Sequence, residues 1–260
     1  MQDDHTLEDA LELMRDLRAR CEWDRAQTHE SLRPYLIEEA HELDDALRSG
    51  EVSQMREELG DVLLQVLFHS VIAEEEGDFD AGDVAASLIR KMKRRHPHLY
   101  GGGERQPWET MKARTRDSIA DGLPAGLPSL HRAHRLQDRA SGVGFDWDDT
   151  EGPARKVEEE LAEVRELLPP AGAAHARERT PGTPGYIELE SELGDLLFAV
   201  VNLCRRAGVH PSLALDRANE KFVRRFEHVE RLAAARGIVM GEAGLATLDA
   251  LWDEVKADEP

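Results

Sequence analysis

One acidic pattern occurs twice in this chain. Glu38-Glu39-Ala40-His41-Glu42 is followed by Glu58-Leu59-Gly60-Asp61, and Glu159-Glu160-Leu161-Ala162-Glu163 is followed by Glu192-Leu193-Gly194-Asp195. Glu39 and Glu160 stand 121 positions apart (160 − 39), as do Glu42 and Glu163 (163 − 42). Glu58 and Glu192 stand 134 apart (192 − 58), as do Asp61 and Asp195 (195 − 61). Constant offsets across unlike spacers mark a tandem repeat, with the extra length of the second copy falling between its two motifs.

Spacings of three and four residues put the acids of each motif on one helix face. That face borders apolar stripes. Leu36, Ala40, Leu43 and Leu47 read as one buried stripe, and Leu59, Val62, Leu63, Val66 and Leu67 as the next. Glu39, Glu42, Glu58 and Asp61 lie on their flanks. Carboxylates beside a core are costly without partners, and several at one point repel and resist ionisation. A hard cation with oxygen ligands answers both difficulties, magnesium being the common case and manganese the alternative.

The apolar periodicity runs at three and four rather than two, so the fold expected is all-α. With 260 residues, the repeat divides the chain into two four-helix-type domains, 1–122 and 123–260, joined through the Pro- and Gly-rich stretch Gly122 to Pro128. Helices are expected over Thr6–Ala19, Ser31–Arg48, Ser53–Glu76, Phe79–Arg95, Trp108–Ile119, Leu130–Ala140, Pro153–Leu168, Glu188–Ala207, Ser212–Ala235 and Leu248–Ala257. Pro169 to Gly185 reads as a mobile loop.

A net charge of −20 speaks against long nucleic acid, which needs a basic surface. It leaves room for a nucleotide whose charge a metal offsets. Two cysteines, Cys21 and Cys204, form no framework, which fits a reducing compartment. There is no signal-peptide layout and no apolar run long enough for a bilayer. A cytoplasmic protein is the expectation.

Basic residues also recur. Lys91 to Arg95 corresponds to Lys221 to Arg225 at an offset of 130 (221 − 91), and Trp108 and Lys112 correspond to Trp252 and Lys256 at 144 (252 − 108). Each half therefore offers acids, a basic cluster, and a Trp with a Lys one turn later. Carboxylates for a metal, cations for the remaining phosphate charge and a ring to stack on a base together suit a nucleoside polyphosphate.

These motifs resemble the all-α nucleoside triphosphate pyrophosphohydrolases, and within them the MazG family. The likeness covers nearly the whole chain, through Cys21-Glu22-Trp23-Asp24, Arg94-Arg95-His96-Pro97-His98, Val143-Gly144-Phe145-Asp146-Trp147 and Asn219-Glu220-Lys221-Phe222. The resemblance implies a magnesium-dependent homodimer that cleaves nucleoside triphosphates to monophosphate and pyrophosphate with broad base tolerance, mainly in the second copy. It implies Glu160, Glu163, Glu192 and Asp195 as metal ligands, with Glu159 beside them in catalysis. It further implies Lys156, Glu159, Lys221, Arg224, Arg225, Trp252 and Lys256 around the nucleotide. Glu39, Glu42, Glu58 and Asp61 make a second metal set.

Two departures from the family stand out: the Pro169 to Gly185 loop is longer than the corresponding stretch of MazG proteins, and Glu188 occurs where a basic residue would help hold phosphate. The first copy also has Ile89-Arg90 where the second has Asn219-Glu220. Two other readings compete. A ferritin-type di-metal site uses Glu-x-x-His on two helices, and only Glu38 to His41 supplies it, Ala162 taking the histidine's place in the second copy. A non-catalytic, nucleotide-binding helical regulator needs the same acids but no turnover.

Overall fold

The structure, a computed structural model, describes residues 5–104, 108–113, 116–169 and 180–258, without the side chains of Trp108 and Ala113. Among the described residues there are helices and no strands. The chain divides into two compact units, 1–105 and 106–260. Trp108–Ala113 therefore groups with the second unit, upstream of the linker at Gly122.

The first unit holds α1 (Leu7–Arg20), α2 (Glu22–Ala26), α3 (His29–Ser49), α4 (Val52–Glu76), α5 (Ala81–Arg95) and α6 (Pro97–Tyr100). Its starts follow local chemistry. Thr6 with Asp9, Thr28 with Ser31 and Asp80 with Asp83 form capping boxes for α1, α3 and α5, each satisfying otherwise orphaned N–H groups. Gly50 ends α3 in the left-handed region at φ 73°, which a residue with a Cβ adopts only at a cost. The core joins Leu11 and Met14 of α1, Leu32 of α3, and Phe68, Val71 and Ile72 of α4. Arg18 is buried beside it and donates to the carbonyls of Asp24 and Gln27, closing the α2 turn.

The second unit holds α7 (Trp108–Ala113), α8 (Ser129–Ser141), α9 (Glu151–Leu167), α10 (Pro184–Arg206), α11 (Pro211–Ala235) and α12 (Gly244–Ala257). Helices α9 and α10 pack on each other, α11 packs on α12, and α8 touches both α10 and α11. Val229, Ala233, Leu251 and Val255 form the α11–α12 core.

Several expectations need correction. The helix expected to Ile119 is helical over Trp108–Ala113; Asp117 and Ser118 instead donate their N–H groups to the Asp121 carboxylate in a turn. The Pro169–Gly185 loop is shortened at its far end, because Pro184 opens α10 in the first-turn position where its missing N–H costs nothing. Its residues 170–179 lie outside the described residues. The short helices α2 and α6 were below the length that periodicity reveals.

The largest correction concerns the stripes of the first unit. Leu36, Leu47, Leu59 and Val66 are exposed, and Leu43, Val62, Leu63 and Leu67 are only half-buried. The buried face of α4 runs instead through Gln65, Phe68, Ser70, Val71, Ile72 and Ala73. The C-terminal half of α4 meets α1 through Phe68, Val71 and Ile72, while Leu59 and Val66, toward its N-terminus, stay exposed.

Candidate active site

The carboxylates gather at two places. In the first unit, ligand oxygens of Glu39 on α3 and of Glu58 and Asp61 on α4 lie within 4.8 Å of one another. In the second, Glu160 and Glu163 on α9 and Glu192 on α10 do the same. These convergences arise because each pair of acid-bearing helices packs face to face, so spacings of three and four bring both motifs to the seam. Glu42 and Asp195 are exposed and lie outside their respective groups. Glu163 is likewise exposed, whereas Glu160 is buried.

The electrostatics are those of crowded acids. Burial, then Asp61, Glu42, Glu58 and Glu38, push the Glu39 carboxyl above its ordinary range. Burial, then Glu42, Asp61 and Glu57, do the same to Glu58. Burial, then Glu160 and Glu192, raise Glu163 against the opposing pull of Lys156. The Glu58 Oε2 atom is buried without any hydrogen-bond partner, an arrangement that is costly unless something else completes it. Oxygen-only donors at this spacing, under mutual repulsion, fit a hard divalent cation.

Lys156 separates the two groups. Its Nζ lies 2.5 Å from Glu160 and 2.9 Å from Glu159, one turn along α9. Hydrogen bonds to those two carboxylates raise its pKa above that of a free lysine. The position corresponding to Lys156 in the first unit is Tyr35 (156 − 121), which packs edge-on against Trp23 and brings no charge. Sequence reading assigned Lys156 to substrate; its second task, neutralising Glu160, needed the folded helix.

The predicted nucleotide group sits on α11 and α12. Trp252 is half-buried, with the Phe222 ring 5.4 Å away and the Arg225 guanidinium 5.8 Å over its face. The Trp252 ring thus packs against the α11–α12 core and also meets a cation. Lys221, Arg224 and Lys256 are exposed, and Lys256 pairs with Asp253 at 2.7 Å. Carboxylates and basic-aromatic residues therefore belong to separate helix pairs of one unit. The Glu188 carboxylate is on the first part of α10.

Two supports escaped sequence reading. Asp146 of the Val143–Trp147 motif takes Arg205 and Arg206 of α10 as ion partners; against the cost of burial, those contacts and the Trp147 N–H hold its carboxyl below the usual range. Trp147 then lies over Gly152, where a Cβ would come within 2.4 Å of the ring. The Arg205-Arg206 pair was the available signal. The other is Glu109, on which Lys112, Arg116 and Arg135 converge. Burial raises its pKa, but Arg135, Arg116 and Lys112 overcome it and bring the value to about 2.

The sequence matches the MazG nucleotide pyrophosphohydrolase domain twice, over residues 27–100 and 151–230. Both matches contain one complete set of the paired acids. The chain belongs to the MazG family. It is 43% identical to the nucleoside triphosphate pyrophosphohydrolase/pyrophosphatase MazG of Thermotoga maritima, over 97% of this chain and 96% of that protein. It is 39% identical to a nucleoside triphosphate pyrophosphohydrolase of Escherichia coli K12, over 96% and 95% respectively. A Bacillus subtilis protein, YabN, is 38% identical over 95% of this chain, which spans 51% of that longer protein. The MazG family resemblance read from the motifs, and the all-α tandem architecture, are thereby established.

Proposed function

We propose that this MazG-family chain hydrolyses nucleoside triphosphates to nucleoside monophosphate and pyrophosphate, with a magnesium-class cation and with the second unit as its main catalytic centre. The observation carrying this reading is the convergence of Glu160, Glu163 and Glu192 beside Lys156 on two packed helices of a domain that matches the family. Full-length relatives bearing the pyrophosphohydrolase name support the reaction class.

Glu160, Glu163 and Glu192, with Asp195 one turn further along α10, would hold a divalent ion, which would supply charge neutralisation and water activation. The chain's own residues supply the rest. Lys156 holds Glu160 and Glu159 in register along α9 and offers a cation to an approaching phosphate. Glu159, exposed at the edge of the group, accepts a proton from attacking water. Lys221, Arg224, Arg225 and Lys256 balance the charge of departing pyrophosphate. The exposed part of Trp252 stacks on the base, which accounts for tolerance among bases because every base has a π-face.

The active form is proposed to be a homodimer. Leu59, Leu64 and Val66 are exposed on α4 of the first unit, and Leu193, Leu197 and Phe198 on α10 of the second. Apolar exposure on this scale marks an association face. Light scattering of the purified chain checks the dimer, and Leu197→Asp should shift it toward monomer. A cytoplasmic location fits the absence of any helix, among the described residues, long and apolar enough to cross a membrane.

The deciding experiment incubates the protein with each triphosphate and magnesium and measures pyrophosphate and monophosphate together. Equal release of both supports the reading. Saturable binding without release would favour the non-catalytic regulator, and release of orthophosphate would place the cleavage at another phosphorus.

A further inference from the structure

We propose that His131, His134 and His210 form a three-imidazole site for a borderline-soft divalent transition ion such as zinc, separate from the carboxylate groups. His131 and His134 are one turn apart on α8, and His210 is the N-cap residue of α11. The His210 ring centroid lies 5.0 Å from that of His131 and 4.8 Å from that of His134. Imidazoles bound to one tetrahedral ion at metal–nitrogen lengths of about 2.0–2.1 Å have centroids roughly 5 Å apart. The rings cross at 71° and 43° rather than stacking flat, and bringing one nitrogen of each to a shared point takes rotation about their side-chain bonds. That rotation is required: among the described residues, the groups with three ligand atoms already within 4.8 Å are the carboxylate sets.

Two further observations favour an ion over plain packing. The Nδ1 atoms of His134 and His210 are buried without a hydrogen-bond partner, as is Ser212 Oγ two residues along. Unpaired buried nitrogens are costly, and a coordinated ion satisfies them. The second concerns the cap. At the offset that aligns the basic clusters, His210 corresponds to Asp80 (210 − 130). Asp80 caps α5 through the Asp83 N–H, whereas His210 makes no side-chain cap bond for α11. Where the first unit has a capping carboxylate, the second has an imidazole. Arg135, the nearby fixed cation, is already engaged by Glu109 and Asp138. An ion here would tie α8 to the start of the helix that carries Lys221, Arg224 and Arg225.

Cobalt(II) is the probe, added to the full chain with magnesium in large excess to occupy the carboxylates. One equivalent should bind with the strong visible absorption of a tetrahedral nitrogen site, zinc should displace it, and zinc should raise the melting temperature. His134→Gln and His210→Gln should each weaken cobalt binding by more than ~10-fold, while His29→Gln with His69→Gln, the stacked pair of the first unit, should leave it unchanged. If His210→Gln does not fold by circular dichroism, His131→Gln replaces it. No visible band, or a band that survives these substitutions, overturns the proposal.

Discussion

Both halves place four equivalent acids on a packed helix pair, yet they close them differently. The first gathers Glu39, Glu58 and Asp61, one acid from the earlier helix and two from the later; the second gathers Glu160, Glu163 and Glu192, two and one. The difference coincides with the exchange of Tyr35 for Lys156, beside others such as His41 for Ala162. A lysine one turn before Glu160 holds that side chain on α9 and lets Glu163 come close without three uncompensated charges. Tyr35 brings no such charge: Glu39 and Glu58 are pushed up by burial and neighbouring acids, and Glu163, also pushed up, differs in feeling the opposing pull of Lys156. A repeat can therefore keep its ligands while the cation beside them decides how those ligands are poised.

The sharpest break in the comparison is removal of matched acids. Glu163→Ala should lower pyrophosphate release at least ~10²-fold, the loss expected when a main electrostatic contact of a transition state is removed. Glu42→Ala, its counterpart, should change release less than ~2-fold. Steady-state rates with unchanged helical circular dichroism test this, and equal losses would make the halves catalytic equals. Next, Lys156→Met should raise KM about 10-fold or more by deleting a charge-assisted phosphate contact. In the same variant, carbon-detected titration should find Glu163 shifted further upward.

The halves should also differ under acid. A carboxyl whose folded pKa lies above its unfolded one binds more protons when folded, so its contribution to stability falls as pH rises through that raised value. Glu39, Glu58 and Glu163 are of this kind. Metal-free protein should thus gain from these groups on acidification below neutrality, and saturating magnesium should remove the gain. Glu109 has the opposite sign. Its stabilisation is fully present above the ordinary value of 4.5 and is lost as pH falls toward about 2, on the order of 3 kcal/mol at most. Scanning calorimetry from pH 7 to 3 should show the second unit losing more, and Glu109→Gln should flatten that loss.

The smallest contrast is steric. Gly152→Ala drives a Cβ into the Trp147 ring and should cost about 1–3 kcal/mol, read from the melting temperature and Trp emission. Ser31 holds the equivalent place (152 − 121) and only closes a capping box, so Ser31→Ala should cost about 1 kcal/mol.

The duplication, the helical class and the family could be read from the chain alone because each depends on local order. Spacings of three and four fix which side chains share a face, capping residues fix where helices begin, and the offsets between Glu39 and Glu160 or Glu58 and Glu192 survive any fold. What the sequence left open depended on which helix covers which. Leu36, Leu59 and Val66 had the right periodicity for a core but are exposed among the described residues. Lys156 turned out to neutralise Glu160, Arg205 and Arg206 pinned Asp146, and His131 and His134 of α8 met the distant His210 at one helix start. Periodicity says which way a side chain faces on its own helix; only packing supplies the partner opposite it, and that partner sets burial, charge and therefore chemistry.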